Sequence, residues 1–495
     1  MKMQNPITPV LSKAMLDAHS ALGVFFGAIL YIICFSGTLA VMVAEFSLWE
    51  DPSGPFQSSY SPAQHERLME NAYVAAKEAG FDHAIYVVGP SAEEPRITVT
   101  GYTDLGDYKQ WQADAEGNLL PMANTGWTQF MSFHHYQLSL PRPFGLYVVG
   151  LAGAIMIASL FSGLIAHRRI IKDAFRLRIG GSDRLTNADI HNRVGVWALP
   201  FHLIVALTGS LLGLASLFIG IVGYAAYDGD EDKVYEILFG SHPEDVETVA
   251  PLPDVRAVLA SIESTKPGTE IVWIGYDHVG TAGQMVHVAT AEPGHLSRAE
   301  MWTFAPDGTF HHKAGYTDGS IGMRIYGMLA PLHFGTYGGL PLKLIYVFLG
   351  SGLTLIVATG VNIWLARKRT QGYRKPRLER AWAILVWGQI PAFALAALTE
   401  LLDVAPALPV YWAVTILPLA LAYTKLEVPT LATGARLIGG ILLVTLAVLH
   451  GLIWRDYPLV DAMVIDIALA ALGALLLWRS VPRTKAAELS LKAAE

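Results

Sequence analysis

The segment Asp189-Ile-His-Asn-Arg-Val-Gly-Val-Trp-Ala-Leu-Pro-Phe-His202 decides the interpretation of this chain, because it leads from a basic region into a long apolar run. Its two histidines, His191 and His202, are eleven residues apart. On a continuous α-helix that separation is about three turns, with a rise of roughly 16 Å. Both imidazoles would then lie on one helix face at two depths. Histidines at two depths of a membrane helix are suited to hold two haems, one nearer each side of the membrane.

The composition is that of an integral membrane protein. Of the 495 residues, 53% are hydrophobic and 16% are charged, well below the charged fraction of about 25% in soluble domains. The formal net charge of −7 argues against a nucleic-acid partner. Because Cys34 is the one cysteine, no disulfide framework or cysteine-ligated cluster can form within the chain. The sixteen histidines are therefore the main supply of metal ligands.

Eight apolar segments approach or exceed the length of about 20 residues that a bilayer-spanning helix needs. They cover residues 21–44, 145–166, 194–222, 344–366, 382–402, 408–424, 436–453 and 460–478. The first segment is too long for the apolar part of a signal peptide, so we expect it to be retained as a span. We therefore expect the lipid bilayer to surround much of the chain.

Basic residues set the expected orientation. They cluster after the second span, after the fourth span and in the C-terminal tail, whereas the two long polar regions are rich in acidic residues. By the positive-inside rule the basic segments face the cytoplasm. We therefore expect a bacterial inner-membrane protein with both termini cytoplasmic and two periplasmic domains.

The predicted domain boundaries follow from these spans. They are a first span at 12–48, a periplasmic domain at 49–143, spans two and three with the basic loop at 144–227, a second periplasmic domain at 228–340, a fourth span at 341–370, four additional spans at 378–480 and a tail at 481–495.

The two polar regions have the same order of predicted elements. Each has one amphipathic helix followed by short alternating strands with Gly-Asn or Asp-Gly turns. The helices are predicted at 63–79 and 255–264, and the strands at 84–88, 96–100, 108–112, 270–274, 284–289 and 299–304. The motif D-x-H-x-x-x-G also occurs twice, at Asp17–Gly23 and at Asp189–Gly195. The predicted fold is an α-helical polytopic membrane protein with two periplasmic α+β domains and an internal repeat of span, domain and span.

Six histidines near the predicted membrane are candidate axial ligands of haem iron. They are His19, His134, His135, His191, His202 and His333. In one scheme the repeat governs, so that His19 pairs with His191 and His134 pairs with His333. In the other, His191 and His202 ligate from one helix, opposite His19 and an outer histidine. The residues leave both schemes open. His134 aligns better with His333 than His135 does, and His135 could instead bind a substrate-side metal or orient a propionate.

Small and cationic residues accompany the candidate ligands. Arg142, Arg193 and Arg324 near the interfaces are candidates to pair with haem propionates. Twelve glycines in or near the spans let helices, or a flat macrocycle, approach the backbone closely. They are Gly23, Gly27, Gly37, Gly150, Gly153, Gly163, Gly195, Gly209, Gly213, Gly350, Gly352 and Gly360.

Three motifs resemble the PepSY-associated transmembrane family, the iron-regulated membrane proteins. They are Asp17-Ala-His-Ser-Ala-Leu-Gly23, Ile190-His-Asn-Arg-Val-Gly195 and Leu332-His-Phe-Gly-Thr-Tyr-Gly-Gly339. The resemblance covers about residues 12–370 and leaves out the last four spans. It implies a four-helix haem-binding core and an oxidoreductase that reduces ferric siderophores on the periplasmic side. Because four histidines suffice for two haems, we expect two haems of type b.

Several motifs of soluble redox enzymes are absent from the sequence. No G-x-G-x-x-G links a strand to a helix, and no P-loop occurs. We predict no catalytic side chain and no nicotinamide or flavin domain, so electrons must come from a separate donor, a quinol or a cytoplasmic reductase. The alternative is a non-redox membrane protein whose PepSY-like domains bind peptides or inhibit a protease.

Overall fold

The structure is a computed structural model, and it describes residues 8–59, 61–104, 107–167, 183–239, 246 and 248–481. The basic loop predicted to face the cytoplasm after the second span, and the tail beyond Val481, lie outside these residues. The chain forms two compact units. The helical unit draws on residues 1–52, 126–206 and 346–495, and the sheet unit on residues 53–125 and 207–345.

Most of the helices belong to the helical unit. They are α1 (Pro9–Ala40), α2 (Val43–Glu50), α4 (Gly126–Gln137), α5 (Phe144–Ala166), α6 (Asp183–Trp197), α7 (Leu199–Gly213), α12 (Gly339–Thr370), α13 (Pro376–Leu401), α14 (Ala407–Ile416), a 3₁₀ helix (Leu417–Tyr423), α15 (Val428–Ile453) and α16 (Val460–Ser480). The unit boundaries fall inside α7 and inside α12.

The sheet unit contains all eight strands of the described chain. They are β1 (Ala84–Val88), β2 (Ile97–Tyr102), β3 (Tyr108–Ala113), β4 (Leu119–Pro121), β5 (Ile271–Asp277), β6 (Met285–Ala291), β7 (Ala299–Phe304) and β8 (Phe310–Lys313). Its helices are α3 (Pro62–Ala79), α8 (Ala215–Ala226), α9 (Asp232–Phe239), α10 (Val255–Thr265) and α11 (Ile321–Phe334).

One antiparallel sheet contains the strands of both polar regions. Its order is β4-β3-β2-β1-β5-β6-β7-β8, so β1 and β5 join the two halves at the centre. Tyr86 of β1 lies opposite Gly275 of β5. A Cβ at residue 275 would lie 2.6 Å from the Tyr86 ring, so this position requires glycine. The two polar regions, predicted as separate domains, therefore share one continuous sheet.

The core of the sheet unit lies under α3 and α10. Apolar residues from both helices pack with alternate residues of the strands, including Leu68, Val258, Val87 and Val288. Local signals place the helix ends. Ser61 caps α3 by accepting from the backbone of Gln64, whose side chain accepts in return from the backbone of Ser61. The predicted helix-then-strand order of both regions is therefore confirmed, with bounds shifted by a few residues.

Six helices of the described chain are long and apolar enough to cross a membrane: α1, α5, α12, α13, α15 and α16. A seventh crossing results if α6 and α7 count as one bent span. The predicted sixth span, 408–424, is a short α-helix followed by a 3₁₀ helix. A polytopic membrane protein is confirmed in this sense, while the total of eight spans stays a prediction.

The expected single helix over 194–222 is wrong. The chain bends by 72° between α6 and α7. Pro200 causes the bend, because it lacks a backbone N–H and its ring collides with the preceding turn. His191 lies on α6 and His202 lies on α7, so they do not share one face of a continuous helix.

Candidate haem site

His19 of α1 leans against α5. Its Nδ1 lies 2.8 Å from the backbone carbonyl oxygen of Ser159. A Cβ at Gly163, one turn further along α5, would lie 3.0 Å from the ring. A carbonyl oxygen can only accept, so Nδ1 carries the proton and Nε2 carries the lone pair that a metal needs. The contact therefore fixes both the tautomer and the ring orientation.

His191 of α6 makes the same kind of contact with α12. Its Nδ1 lies 3.0 Å from the carbonyl oxygen of Ile356, and a Cβ at Gly360 would lie 3.1 Å from the ring. The centroids of the His19 and His191 rings are 5.9 Å apart, with an angle of 69° between their planes. Two imidazoles on opposite sides of one iron, each with a metal–nitrogen bond of about 2 Å, would have centroids about 6 Å apart. The spacing therefore fits a bis-histidine iron.

His135 of α4 leans back against α1 in the same way. Its Nδ1 lies 3.1 Å from the carbonyl oxygen of Ile33, which fixes the same tautomer. A Cβ at Gly37 would lie 2.5 Å from Cε1 of the ring. His19 therefore links α1 to α5, and His135 links α4 to α1.

His333 of α11 completes the set within the sheet unit. Its Nδ1 lies 3.0 Å from the hydroxyl oxygen of Thr208 on α7. A Cβ at Gly209 would lie 2.7 Å from the ring. Like the other three histidines, His333 is only partly buried.

Each of the four histidine rings lies against a glycine that follows a hydroxyl residue. Its Nδ1 contacts either that hydroxyl group or the carbonyl oxygen of a residue one helical turn before it. The four dipeptides are Ser36-Gly37, Ser162-Gly163, Thr208-Gly209 and Thr359-Gly360. Ser162 and Thr359 also lie 3.5 Å and 3.4 Å from the Nδ1 atoms of His19 and His191. Nδ1 partners of this kind orient metal-bound histidines and make them better ligands. The residues present therefore fit haem b as a bis-histidine cofactor.

His134 has different surroundings from its neighbour. It is completely buried, with its ring centroid 4.4 Å from that of Tyr411 and 5.4 Å from that of Phe130. Phe393 and Trp412 also lie against it. Rings on several sides leave no space for a flat macrocycle, so the geometry favours His135 over His134 as a ligand.

His202 is also completely buried. Neither of its ring nitrogens makes a hydrogen bond of good geometry within the described part of the chain, and the backbone of Leu349 is only a nearby acceptor. The ring of the adjacent Phe201 lies 5.9 Å away between centroids. Among the glycine contacts described, none involves the His202 ring, and no described partner fixes its tautomer. The geometry therefore favours the His19–His191 pair of the first scheme over ligation by His202.

Residues of α2 and α13 hold α4 in place. Both carboxylate oxygens of Glu50 accept from the first backbone N–H groups of α4, at Trp127 and Thr128, each at 2.8 Å. The indole N–H of Trp127 donates to the carbonyl oxygen of Phe393 on α13 at 3.2 Å. A carboxylate at a helix N-terminus is favourable because the exposed N–H groups carry partial positive charge. These contacts fix the position of the helix that carries His135.

The three arginines expected near propionates lie in different places. Arg193 is buried and lies 3.6 Å from Asp189, one turn before it on α6. Arg142 lies over the ring of Tyr136. Arg324 lines a cavity in the sheet unit. Arg193 lies on the same helix as His191, and Arg324 lies on the same helix as His333.

Apolar spanning helices together with a helix-covered antiparallel sheet define a polytopic membrane protein with PepSY-like α+β structure. The chain belongs to the family described as the PepSY-associated TM region, whose model matches residues 16–367. The match includes all six candidate histidines and ends before α13. The chain is also similar to the uncharacterized protein PA4219 of Pseudomonas aeruginosa, with 27% identity over 361 residues, or 69% of this chain and 92% of that protein.

Proposed function

We propose that the protein is a di-haem b transmembrane electron-transfer protein that reduces a ferric chelate, such as a ferric siderophore, in the periplasm. The observation that carries the proposal is the set of four histidines with an engaged Nδ1 and a glycine beneath the ring. We assign His19 and His191 to one iron, and His135 and His333 as further axial ligands. Four ligands suffice for two bis-histidine haems.

The electron count calls for one-electron carriers, because one quinol would reduce two ferric chelates in succession. A ferric chelate takes one electron when its iron becomes ferrous, whereas a quinol gives up two electrons and two protons. Bound haems would supply single-electron carriers between these two reactions. A quinol, or a cytoplasmic reductase, is the donor class that we propose, because the sequence contains no nicotinamide- or flavin-binding motif.

The proposed orientation rests on the basic segments. Arg367, Lys368 and Arg369 end α12 and precede α13, and such clusters remain in the cytoplasm. The protein would lie in the bacterial inner membrane with the sheet unit outside. Alkaline phosphatase fused at Gly117 or Gly308 should be active, and the same reporter at Gly372 should be inactive. An inactive Gly117 fusion would reverse the proposed direction of electron flow.

The haem content of the purified protein tests the proposal. After expression with ample haem, the dithionite-reduced protein should have a b-type spectrum, and pyridine haemochrome should give about two haems per chain. Ferric citrate should then oxidise the reduced protein, and stopped-flow absorbance should record the loss of the reduced spectrum. A colourless, folded protein would overturn the proposal and leave the non-redox alternative, a peptide-binding or protease-inhibiting membrane protein.

A further inference from the structure

A small cavity in the sheet unit has none of the candidate histidine ligands in its lining. Its volume is about 180 Å³. Three segments form its walls: the turn between β6 and β7, the loop after β8, and the first turns of α11. The side chains that line it include His295, Ser297, Tyr316, Thr317, Arg324 and Met328.

A buried carboxylate fixes the second wall. Glu300 is 1% exposed and accepts from the backbone N–H groups of Gly315, Tyr316 and Thr317 at 2.8–3.0 Å. The Thr317 hydroxyl donates to it as well, at 2.8 Å. With this many donors, the carboxylate is well satisfied although it is buried. The loop is therefore held in one conformation before any ligand arrives.

A glycine brings the third wall close to the other two. A Cβ at Gly327 of α11 would lie 2.7 Å from Cβ of Tyr316 and 3.3 Å from Cβ of Ser297. A larger residue would push α11 away from both segments. The cavity is thus a built feature in which the backbone of one helix contacts two fixed loops.

Two polar groups of the cavity, the Ser297 hydroxyl and the Arg324 guanidinium, have no side-chain partner among the described residues. Ser297 is 7% exposed, and its hydroxyl has no hydrogen-bond partner in the described part of the chain. A buried unsatisfied hydroxyl costs about 1–3 kcal/mol. Among the described residues, no carboxylate lies within ion-pair distance of the Arg324 guanidinium. The nearby Asp318 carboxylate is engaged by Lys313 at 2.6 Å, which lowers the pKa of Asp318.

We infer that this cavity binds a carboxylate arm of the ferric chelate, with the Arg324 guanidinium and the Ser297 hydroxyl as donors. This inference rests on the proposed function. A guanidinium fork matches the two oxygens of a carboxylate. A volume of about 180 Å³ is below the range of about 300–1,000 Å³ for sites that enclose a whole small molecule, so it suits one arm of a larger ligand.

The position of Arg324 on α11 relates the cavity to electron transfer. Arg324 and His333 are on the same helix, nine residues apart, which corresponds to a rise of roughly 13 Å. A chelate held by one arm at Arg324 would lie beside the helix that carries the outer candidate ligand. The ferric iron would then take one electron and become ferrous without leaving the sheet unit.

Binding of gallium(III) citrate to the full-length protein in detergent tests the inference, because gallium keeps its charge and needs no electron. Arg324→Gln should weaken binding about tenfold or more, as loss of a charge-assisted hydrogen bond does. Ser297→Ala should weaken binding severalfold. Arg256→Gln is the matched control, because this exposed arginine on α10 pairs only with Glu66 at the surface, and its affinity should equal that of the unchanged protein.

Equal affinity in the Arg324→Gln and unchanged proteins would overturn the inference, as would an unchanged protein that does not bind gallium citrate. Glycerol phosphate serves as a second probe, for the headgroup of an anionic lipid. Tighter binding of glycerol phosphate than of gallium citrate would also overturn the assignment. The haem content of the same preparations is measured separately, so failure of the proposed electron-transfer function would be distinguishable from failure of the cavity.

Discussion

The ring of His135 lies against Gly37 so closely that a methyl group at residue 37 would come within 2.5 Å of the imidazole. The contact packs the His135 ring of α4 against α1, and any side chain at position 37 would displace that ring. Three further histidine–glycine pairs have the same arrangement, and they make the candidate ligands experimentally separable from other buried histidines.

Gly37→Val should remove about one haem equivalent per chain, because the added side chain displaces the His135 ring. Pyridine haemochrome of the purified variant measures this loss. Gly23→Val is the matched control on the same helix, since nothing lies within 4 Å of a Cβ at residue 23. Equal haem content in the two variants would argue against a role of Gly37 in ligand placement.

His135→Ala should lose about one haem equivalent, whereas His134→Phe should keep both. Phenylalanine matches the aromatic surroundings of His134 and removes a buried nitrogen that has no hydrogen-bond partner in the described chain. Thermal stability should therefore be equal or higher in His134→Phe. Haem loss in His134→Phe with full retention in His135→Ala would identify His134 as the ligand, as the internal repeat predicts.

His19→Ala and His191→Ala should each lose the same haem. Because both rings would bind one iron, the double variant should lose no more haem than either single variant. Low-temperature EPR should show the same low-spin signal missing from all three. Loss of two haems in the double variant would place these histidines on different irons.

His202→Leu should keep both haems, because the buried His202 ring has no partner that fixes its tautomer and lies beyond the 72° bend from His191. Midpoint potentials from redox titration are expected to change little. The loss of one haem here, with His135→Ala unaffected, would support the scheme in which the third span ligates twice.

His65 should make the stability of the sheet unit sensitive to acid. Burial lowers its pKa to about 3, from an unfolded value of about 6.5. The unfolded chain therefore binds the proton between these values, and stability falls as pH drops from about 6.5 to 3, by up to about 1.4 kcal/mol per pH unit. Thermal unfolding of the full-length protein should become less pH-dependent in His65→Phe, and an unchanged slope would contradict this assignment.

Regular periodicity made the sheet unit largely predictable. The predicted strands at 84–88 and 299–304 agree with β1 and β7, and the predicted helix at 63–79 differs from α3 by one residue. Alternation and capping residues act locally, so a single sequence contains them. The pairing of β1 with β5 depends on contacts almost two hundred residues apart, which local patterns do not specify.

The candidate site was only partly predictable. The repeated motif singles out His19 and His191, but the offset between the two repeats favours His134, whereas the contacts of the ring nitrogens favour His135. The four dipeptides of a hydroxyl residue and glycine were a usable signal: Gly37 follows His19 by 18 residues, and Gly209 follows His191 by the same number. The sequence does not specify the bend at Pro200, because proline is compatible both with the first turn of a new helix and with a kink inside a longer one.

The central β1–β5 ladder has a consequence for how this protein can be divided. An isolated half of the sheet would present β1 or β5 as a bare edge, with a full row of unpaired peptide groups ready to recruit another chain. His65 of α3 also contacts Tyr276 of β5, which ties the first helix to the second half. The two halves therefore form one folding unit. Loss of either half, by truncation or by gene rearrangement, would expose a strand edge that favours self-association.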